Sequence, residues 1–325
     1  MSSVDNLFHL VKQDMDSVEE KLFSASQSEV TILEDICRHI LNSGGKRLRP
    51  LILLLSARTC GYRGRAHIPL ACVIEYIHTA TLLHDDVIDH AEIRRGNSSA
   101  NKLWGNQSTI LTGDFFFSRA FSIAVDTGNL KALNVIAAAS NLIAEGETFQ
   151  VSKTDDPLLS EENYIDIVKN KTAVLIAAAS RIGGILAEVP EESERALEDY
   201  GLNIGIAFQI MDDVMDYYST EKDFGKTIGK DFQEGSITLP FIAALAKSGP
   251  ADRNKLMETM QNSARNRQDL ADVIRIIDKY QGNDYAINRA KQHVDTAIAA
   301  LTTLPVTADK EPLIQLADFI MERTF

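Results

Sequence analysis

The sequence predicts an all-α fold. Apolar residues recur at helical spacing from Leu7 onward, no strand-like alternation is sustained, and the breaks between apolar segments fall largely at glycine and proline. A chain of 325 residues could hold one large domain or two ordinary ones. No Gly/Ser-rich, Pro-rich or low-complexity linker divides it, so a single helical bundle over residues 1–325 is the economical expectation.

Residues 4–42 place Leu7, Leu10, Val11 and Met15, then Ile32, Leu33, Ile36 and Ile40, at helical intervals. They predict two helices joined near Ser24 to Ser28. Next comes Ser43-Gly-Gly-Lys-Arg-Leu-Arg-Pro50, where Gly44 and Gly45 stop one helix and Pro50 is placed to open another. Lys46, Arg47 and Arg49 fall on that turn, a basic connection suited to clamping a diphosphate.

Helices are then expected over 51–60, 68–90, 107–126, 129–152, 161–187, 193–219, 237–248, 251–262, 267–280, 284–301 and 310–323. Breaks are expected at Gly61–Gly64, Gly96–Gly105, Asp155-Asp156-Pro157, Pro190, Asp223–Gly235 and Pro305. Several of these helices are too apolar all round to lie on a surface. The small-residue patches Ala137–Ser140 and Ala177–Ser180 would let helices approach closely.

A composition of 45% hydrophobic and 24% charged residues fits a protein with a substantial core. The net charge of −13 speaks against a nucleic-acid surface, which needs a basic patch or stripe. Cys37, Cys60 and Cys72 have no metal-ligand spacing and fit buried thiols in a reducing compartment. The start MSSVDNLFHLVKQDM lacks the basic-then-apolar pattern of a secretory signal, and the apolar run Ala173–Val189 is interrupted by Arg181. A soluble, cytoplasmic protein is expected.

Chemistry concentrates in His78–Asn97, HTATLLHDDVIDHAEIRRGN. At about 100° per residue, His78, Thr81, Asp85 and Asp89 share one narrow helix face. The two carboxylates repel each other, and no lysine or arginine lies within the helix to pair them. An oxygen-only pair suits a hard divalent ion such as Mg²⁺, which takes the rest of its shell from water and phosphate. Asp86 adds a third carboxylate, and Arg94 and Arg95 follow as phosphate-recognising groups.

The pattern occurs twice. GIAFQIMDDVMDYY at Gly205–Tyr218 again ends an apolar helix in Asp-Asp-x-x-Asp, at Asp212, Asp213 and Asp216, with Gln209 on the Asp212 face. Two such helices facing each other would hold several metal ions between their carboxylate ends. An isolated acidic pair on a helix is usually a solvated face, but apolar flanks repeated at both motifs oppose that reading. Lys171-Thr172, at the start of an apolar helix, could donate to a phosphate. His84 and His90, beside the first motif, are expected outside the metal shell because imidazole is a poor magnesium ligand. The loop Asp223–Gly235 has the glycines and lysines of a phosphate cover.

Together these residues resemble the trans-isoprenyl diphosphate synthase, or polyprenyl synthetase, family over essentially the whole chain, closest to its bacterial long-chain octaprenyl and heptaprenyl types. The resemblance implies the isoprenoid synthase fold, an all-α bundle around a deep hydrophobic cavity, as a homodimer. It implies Mg²⁺, with roughly three ions per active site. Asp85, Asp89 and Asp212 would be the likeliest direct ligands, with Asp86, Asp213 and Asp216 completing the motifs. Lys46, Arg49, His78 and Arg95 would hold isopentenyl diphosphate. Arg94, Lys171, Thr172, Gln209 and Lys226 would hold an allylic diphosphate such as farnesyl diphosphate, with Arg94 and Lys171 assisting its ionisation.

Short-chain members often carry aromatic plugs one turn before the first motif, where this chain has Ala80 and Thr81, followed below by Ile77. The expected product is therefore long, around C35 to C40, and its greasy tail gives a reason for peripheral membrane contact. Ser98 and Ser236 stand where the family frequently has proline and lysine. A C20 synthase is the nearest competing expectation. A non-catalytic partner subunit would lack the acidic motifs, a phosphohydrolase would need more histidines, and a terpene cyclase has no need of a second diphosphate site.

Overall fold

Helix follows helix through the computed structural model, which describes residues 3–218, 229–262, 264–306 and 308–322. The first half contains α1 (Ser3–Leu10), α2 (Lys12–Ala25), α3 (Thr31–Asn42), α4 (Leu48–Thr59), α5 (His67–Ile88), α6 (Ala100–Asp126) and α7 (Leu130–Ser152). After these come α8 (Glu161–Val168), a π-helical turn at Lys169–Ala173, α9 (Val174–Leu186) and α10 (Glu191–Tyr218). The rest is α11 (Lys230–Glu234), α12 (Leu239–Lys247), α13 (Pro250–Gln261), α14 (Arg267–Lys279), α15 (Gly282–Ala300), a 3₁₀ turn at Leu301–Thr303, and α16 (Glu311–Glu322). Among the described residues the only strands are β1 (Ile93–Arg94) and β2 (Asn97–Ser98), paired antiparallel.

The expected helices are present, with three differences. The first segment breaks at Val11, so three helices rather than two precede the basic turn. The helix expected to begin at 107 starts at Ala100 and kinks at Gly105, whose φ of 81° no helix accommodates. The helix expected over 161–187 is interrupted by the π turn, which carries Lys171 and Thr172. Such insertions are often found at functional sites.

The chain divides into two compact units. One comprises Met1–Ser140, Leu175–Gly201 and Ala300–Leu316; the other comprises Asn141–Val174, Leu202–Ala299 and Ala317–Phe325. In the first, α4 is buried from Pro50 to Ala57, as a helix apolar on every side must be. Helix α9 packs on it closely enough that a Cβ on Gly183 would meet the Ala57 nitrogen at 2.6 Å, and the Ser56 and Ser180 hydroxyls hydrogen-bond at 3.1 Å. The expected close approach at Ala177–Ser180 is met by Gly201, where a Cβ would lie 2.7 Å from the Ile176 carbonyl. Helices α5 and α6 join through Tyr76 and Phe116, edge to face at 4.9 Å.

The second unit is built on the apolar faces of α8, α10, α12 and α14, with Tyr164, Ile210, Phe241 and Val273 among its buried residues. Helix α11 is held at both ends. Asp216 accepts from the Lys230 and Asp231 backbone nitrogens at its start, at 3.2 and 3.0 Å. Arg265 donates to the Gln233 carbonyl near its end and pairs with Asp155.

Candidate active site

In the first unit the basic turn and the first acidic motif are built together. Arg47 adopts a left-handed backbone (φ 45°) ahead of α4 and turns its guanidinium inward to Glu19 at 2.6 Å and Glu75 at 2.8 Å. Glu75 is a buried carboxylate within an otherwise apolar stretch of α5, so its cation must come from elsewhere. Arg47 is thus the structural member of the Lys46–Arg49 cluster. Lys46 is exposed, and Arg49 is largely enclosed, with a buried Nε that has no partner.

Arg49, His78 and Arg95 lie close enough to perturb one another. Burial, then Arg49 and Arg95, holds His78 well below its ordinary value, so it is neutral at pH 7. Burial and Arg95 bring Arg49 down to about 10 against the opposing pull of Glu75. Arg95 is lowered by desolvation and by Arg47 and Arg94. A cluster of basic groups with an unsatisfied buried donor is an anion site by its chemistry.

Arg94 and Arg95 reach this cluster on the β1–β2 ribbon. Arg95 and Gly96 form its turn with φ of 51° and 79°, both positive as a type I′ turn requires. His39 Nε2 contacts the Ser98 carbonyl at 2.9 Å, and Asn97 donates to Ser43 Oγ at 3.4 Å, which moors the ribbon beside the Gly44-Gly45 turn. The Arg95 guanidinium lies over Gly45, where a Cβ would approach within 2.7 Å.

Asp85 and Asp89 remain one helical turn apart, with the Asp89 nitrogen bonded to the Asp85 carbonyl at 2.8 Å, and both are half-buried. Asp86 departs from the expected metal set. It is 0% exposed, its Oδ1 accepts from Arg94 Nε at 2.7 Å and pairs with a second Arg94 nitrogen, and its carbonyl accepts from Asn101 at 2.9 Å. One residue further along a helix is rotated by about 100°, which sends Asp86 inward when Asp85 and Asp89 face the rim. Arg94, expected on the allylic diphosphate, is thereby anchored by a carboxylate. His84 rests over Gly113 of α6 and contacts Asp114 at 3.5 Å, and His90 is exposed. Ile77 and Ala80 are fully buried, and the Thr81 hydroxyl is returned to the His78 carbonyl at 2.8 Å.

In the second unit a hydrogen-bonded chain links α8, the π turn and α10. Tyr164 donates to Asp213 Oδ2 at 2.6 Å, Gln209 Nε2 donates to Asp213 Oδ1 at 2.8 Å, and Thr172 donates to Gln209 Oε1 at 3.0 Å. Asp213 is 5% exposed, and burial pushes its carboxyl up against the pull of these donors. Burial and Asp213 raise Tyr164 well above its ordinary value, so it stays protonated and donates. Thr172, expected to donate to a phosphate, has its single proton committed to Gln209. Lys171 pairs with Glu147 at 2.8 Å, and Gly146 makes room for the π turn, since a Cβ there would meet the Lys171 nitrogen at 2.9 Å. Lys226 lies outside the described residues.

Asp216 caps α11 by accepting from its first backbone nitrogens. Asp231, on α11, is pushed well above the ordinary carboxyl range by burial and by Asp213, Asp216 and Asp212. Acidic groups crowded in this way call for a cation. Among the described residues no three carboxylate, imidazole or thiol side chains are gathered into a ready-made metal site.

Tyr164, Asp231, Glu147 and Glu75 were missed from sequence. Tyr164 lies in a stretch too polar to interpret by periodicity, and nothing local shows that it reaches Asp213. Glu75 did carry a signal, as a lone acid in an apolar helix.

Residues 30–277 match the family model described as polyprenyl synthetase. The chain is 40% identical over 321 residues to the octaprenyl diphosphate synthase of Escherichia coli (strain K12), covering 99% of each. It is 36% identical to the geranyl-diphosphate-specific all-trans-nonaprenyl-diphosphate synthase of Rhodobacter capsulatus, covering 96% of each. The chain belongs to the polyprenyl synthetase family. The crystal structure of a polyprenyl synthase from Caulobacter crescentus CB15, complexed with calcium and isoprenyl diphosphate, matches it with a TM-score of 0.95 at 40% identity, over 99% of this chain and 98% of that one. The fold is the all-α isoprenoid synthase fold, and the chain is a prenyltransferase of a magnesium-dependent family.

Proposed function

We propose that this synthase condenses an allylic diphosphate with isopentenyl diphosphate, repeatedly, to give an all-trans polyprenyl diphosphate of around C35 to C40. The observation that carries the reading is the cluster of Arg49, His78 and Arg95, with its unpartnered buried Arg49 Nε. It supplies a second anion site beside an acidic motif, which condensation of two diphosphates requires. Lys46 stands at its edge and would join it in holding isopentenyl diphosphate.

Arg94, Lys171, Gln209 and Lys226 are assigned to the allylic diphosphate. Lys171 would exchange Glu147 for phosphate, and Arg94 keeps its Asp86 anchor while offering its remaining donors. Asp85 and Asp89 from the first motif and Asp212 from the second are assigned as metal ligands, for roughly three Mg²⁺ ions. Bound Mg²⁺ would neutralise the leaving diphosphate as a Lewis acid. The allylic C–O bond breaks with its electron pair going to the diphosphate. The isopentenyl double bond attacks the allylic cation, and loss of a proton beside the new centre restores a double bond. The departing pyrophosphate is the proposed acceptor of that proton. Apolar walls would exclude water from the cation, and Ile77, Ala80 and Thr81 are the proposed chain-length residues below Asp85; Ile77 and Ala80 are fully packed here, and Thr81 is half-buried with its hydroxyl returned to the His78 carbonyl.

The whole chain is proposed to act as one catalytic unit within a homodimer. Leu103, Ile110 and Leu111 of α6 are exposed, and a second copy would cover them. No helix among the described residues is long and apolar enough to cross a membrane; we assign the enzyme to the cytoplasm, with peripheral membrane contact for product release. The test is a product assay with farnesyl diphosphate, labelled isopentenyl diphosphate and Mg²⁺, alongside an EDTA control. A metal-dependent ladder ending near C35 to C40 is expected. A stop at C20 would refute the chain-length assignment, and no incorporation by folded protein would refute the reaction.

A further inference from the structure

Asp213 has two carboxylate oxygens and takes one donor on each, Tyr164 Oη at 2.6 Å and Gln209 Nε2 at 2.8 Å. Both bonds run toward Asp213, a phenol O–H and an amide N–H each donating to one of its oxygens. The Gln209 amide must present nitrogen to Asp213, so its oxygen faces Thr172 and takes that hydroxyl proton. The four side chains therefore have one consistent arrangement, and Tyr164 stands at its closed end, only 3% exposed. It sits on α8, five residues ahead of the π turn that carries Lys171 and Thr172.

We propose that Tyr164 is a positioning residue for the allylic half of the reaction, acting through Asp213 and Gln209 to hold Thr172 and the second acidic motif in their working geometry. This rests on the assignment of Lys171, Gln209 and Asp212 to the allylic diphosphate and its metal. Without the phenol, one Asp213 oxygen lies buried with no donor. The carboxylate can then turn about its terminal bond, and the Gln209 amide loses the fixed acceptor that set its orientation. The hydroxyl of Thr172 is released with it.

Glu161 secures the base of the device. It opens α8, where Ser160 caps the helix through Asn163 at 3.2 Å, and it receives hydrogen bonds from Tyr285 at 2.6 Å and Arg289 at 2.8 Å of α15. Tyr164 thus projects from a helix anchored independently of α10. A residue serving only to fill the core would not need that hydroxyl. The nearby Tyr217 shows the contrast, since among the described residues its hydroxyl meets Thr238, at 3.0 Å, and not Asp213 or Gln209.

The test is Tyr164→Phe, which keeps the ring and removes one oxygen. With farnesyl diphosphate as the allylic substrate, kcat is expected to fall by about 10- to 100-fold, the range for loss of a hydrogen bond to a charged group. The KM for isopentenyl diphosphate should stay within twofold, because its proposed residues lie on other elements. Thermal denaturation checks the fold. The same substitution is then made in an Asp213→Asn background. If Tyr164 acts through Asp213, it adds less than threefold to the loss already present.

A kcat within twofold of the parent enzyme, or losses that multiply in the double variant, would overturn the proposal. Equal loss of affinity for both substrates would do so too, as a general packing defect. Should Tyr164→Phe fail to fold, Gln209→Leu breaks the same chain at its middle and is expected to show the same split between the two substrates. The parent enzyme is assayed in parallel. Its inactivity would refute the reaction itself, whereas an active parent with an unaffected Tyr164→Phe refutes only this inference.

Discussion

Replacing either partner of the Asp86–Arg94 pair separates anchoring from metal binding. Asp86 is 0% exposed, whereas the Arg94 side chain retains 22% exposure. Removing one member of a buried pair costs about 3–5 kcal/mol because the other is left uncompensated. Arg94→Ala leaves Asp86 with no route to water, so it belongs at the upper end, about 5 kcal/mol. Asp86→Ala leaves an arginine that can partly rehydrate and belongs nearer 3 kcal/mol. The thermal midpoint should drop by roughly 5–10 °C across this range, with Arg94→Ala the worse. The variant lacking both should recover part of the loss. A metal-ligand role for Asp86 makes the opposite forecast, since removing one of several crowded carboxylates relieves repulsion in the metal-free protein. Chemical denaturation without magnesium, paired with magnesium titration of the rate, decides between them. Wild-type stability in Asp86→Ala, with a tenfold higher magnesium requirement, would refute the anchoring role.

Three other outcomes follow from the same structure. Arg47→Met should destabilise the protein by about 3–5 kcal/mol in chemical denaturation, because Glu75 is left buried without its partner at 2.8 Å. Ser98→Pro should be neutral or stabilise by about 0.4–1 kcal/mol. Ile93 and Ser98 face each other in the ribbon between the Glu92–Ser99 bond at 3.0 Å and the Arg94–Asn97 pair, so the Ser98 N–H lies outside the ladder and the carbonyl met by His39 is retained. A clear loss of stability would show that the N–H is used. His78 is held well below its ordinary value of 6.5, so between those two values the folded state binds fewer protons than the unfolded. Stability from this group is therefore complete above about 6.5 and is lost as pH falls toward the folded value. Thermal midpoints from pH 5 to 7 should fall less steeply in His78→Gln; an unchanged slope would contradict the burial of a neutral imidazole.

Helix positions and the rim carboxylates were legible because periodicity is a local signal. Leu51–Leu55 had to be a central helix, and Asp85 and Asp89 had to share a face. What was not legible is how polar groups are distributed between ligand and scaffold. Lys46, Arg47 and Arg49 look equivalent on one basic turn, yet Arg47 is committed to Glu19 and Glu75, which are distant in sequence and adjacent in space. Thr172 reads as a donor until Gln209 is seen to take its proton. The π turn could not be read either, since it depends on Gly146 packing against the backbone of Asn170 and Lys171. Ser98 was visible as a departure from the family, but its harmlessness depends on the ribbon's register.

The two acidic motifs share a division of labour that their spelling conceals. In each, the second aspartate is the buried one, Asp86 at 0% and Asp213 at 5% exposure, and in each it accepts from side chains that the reaction is assigned to use. Asp86 holds Arg94; Asp213 holds Gln209, and through it Thr172. Helix geometry makes this natural. When the first and fifth residues of Asp-Asp-x-x-Asp face the rim, the second is rotated by about 100° toward the packed side, where an unpaired carboxylate is untenable. The middle acid must therefore recruit donors, and the donors nearest to hand are those gathered for the diphosphate. On this reading the motif combines a rim carboxylate for the cation with an inward carboxylate that orders the cationic or amide side chain beside it. Exchanging Asp86 or Asp213 for asparagine should consequently disturb substrate geometry more than metal affinity, the reverse of the same change at Asp85 or Asp212. Magnesium titration and allylic-substrate KM for the four single variants would separate the two classes, and a uniform magnesium defect across all four would refute the division.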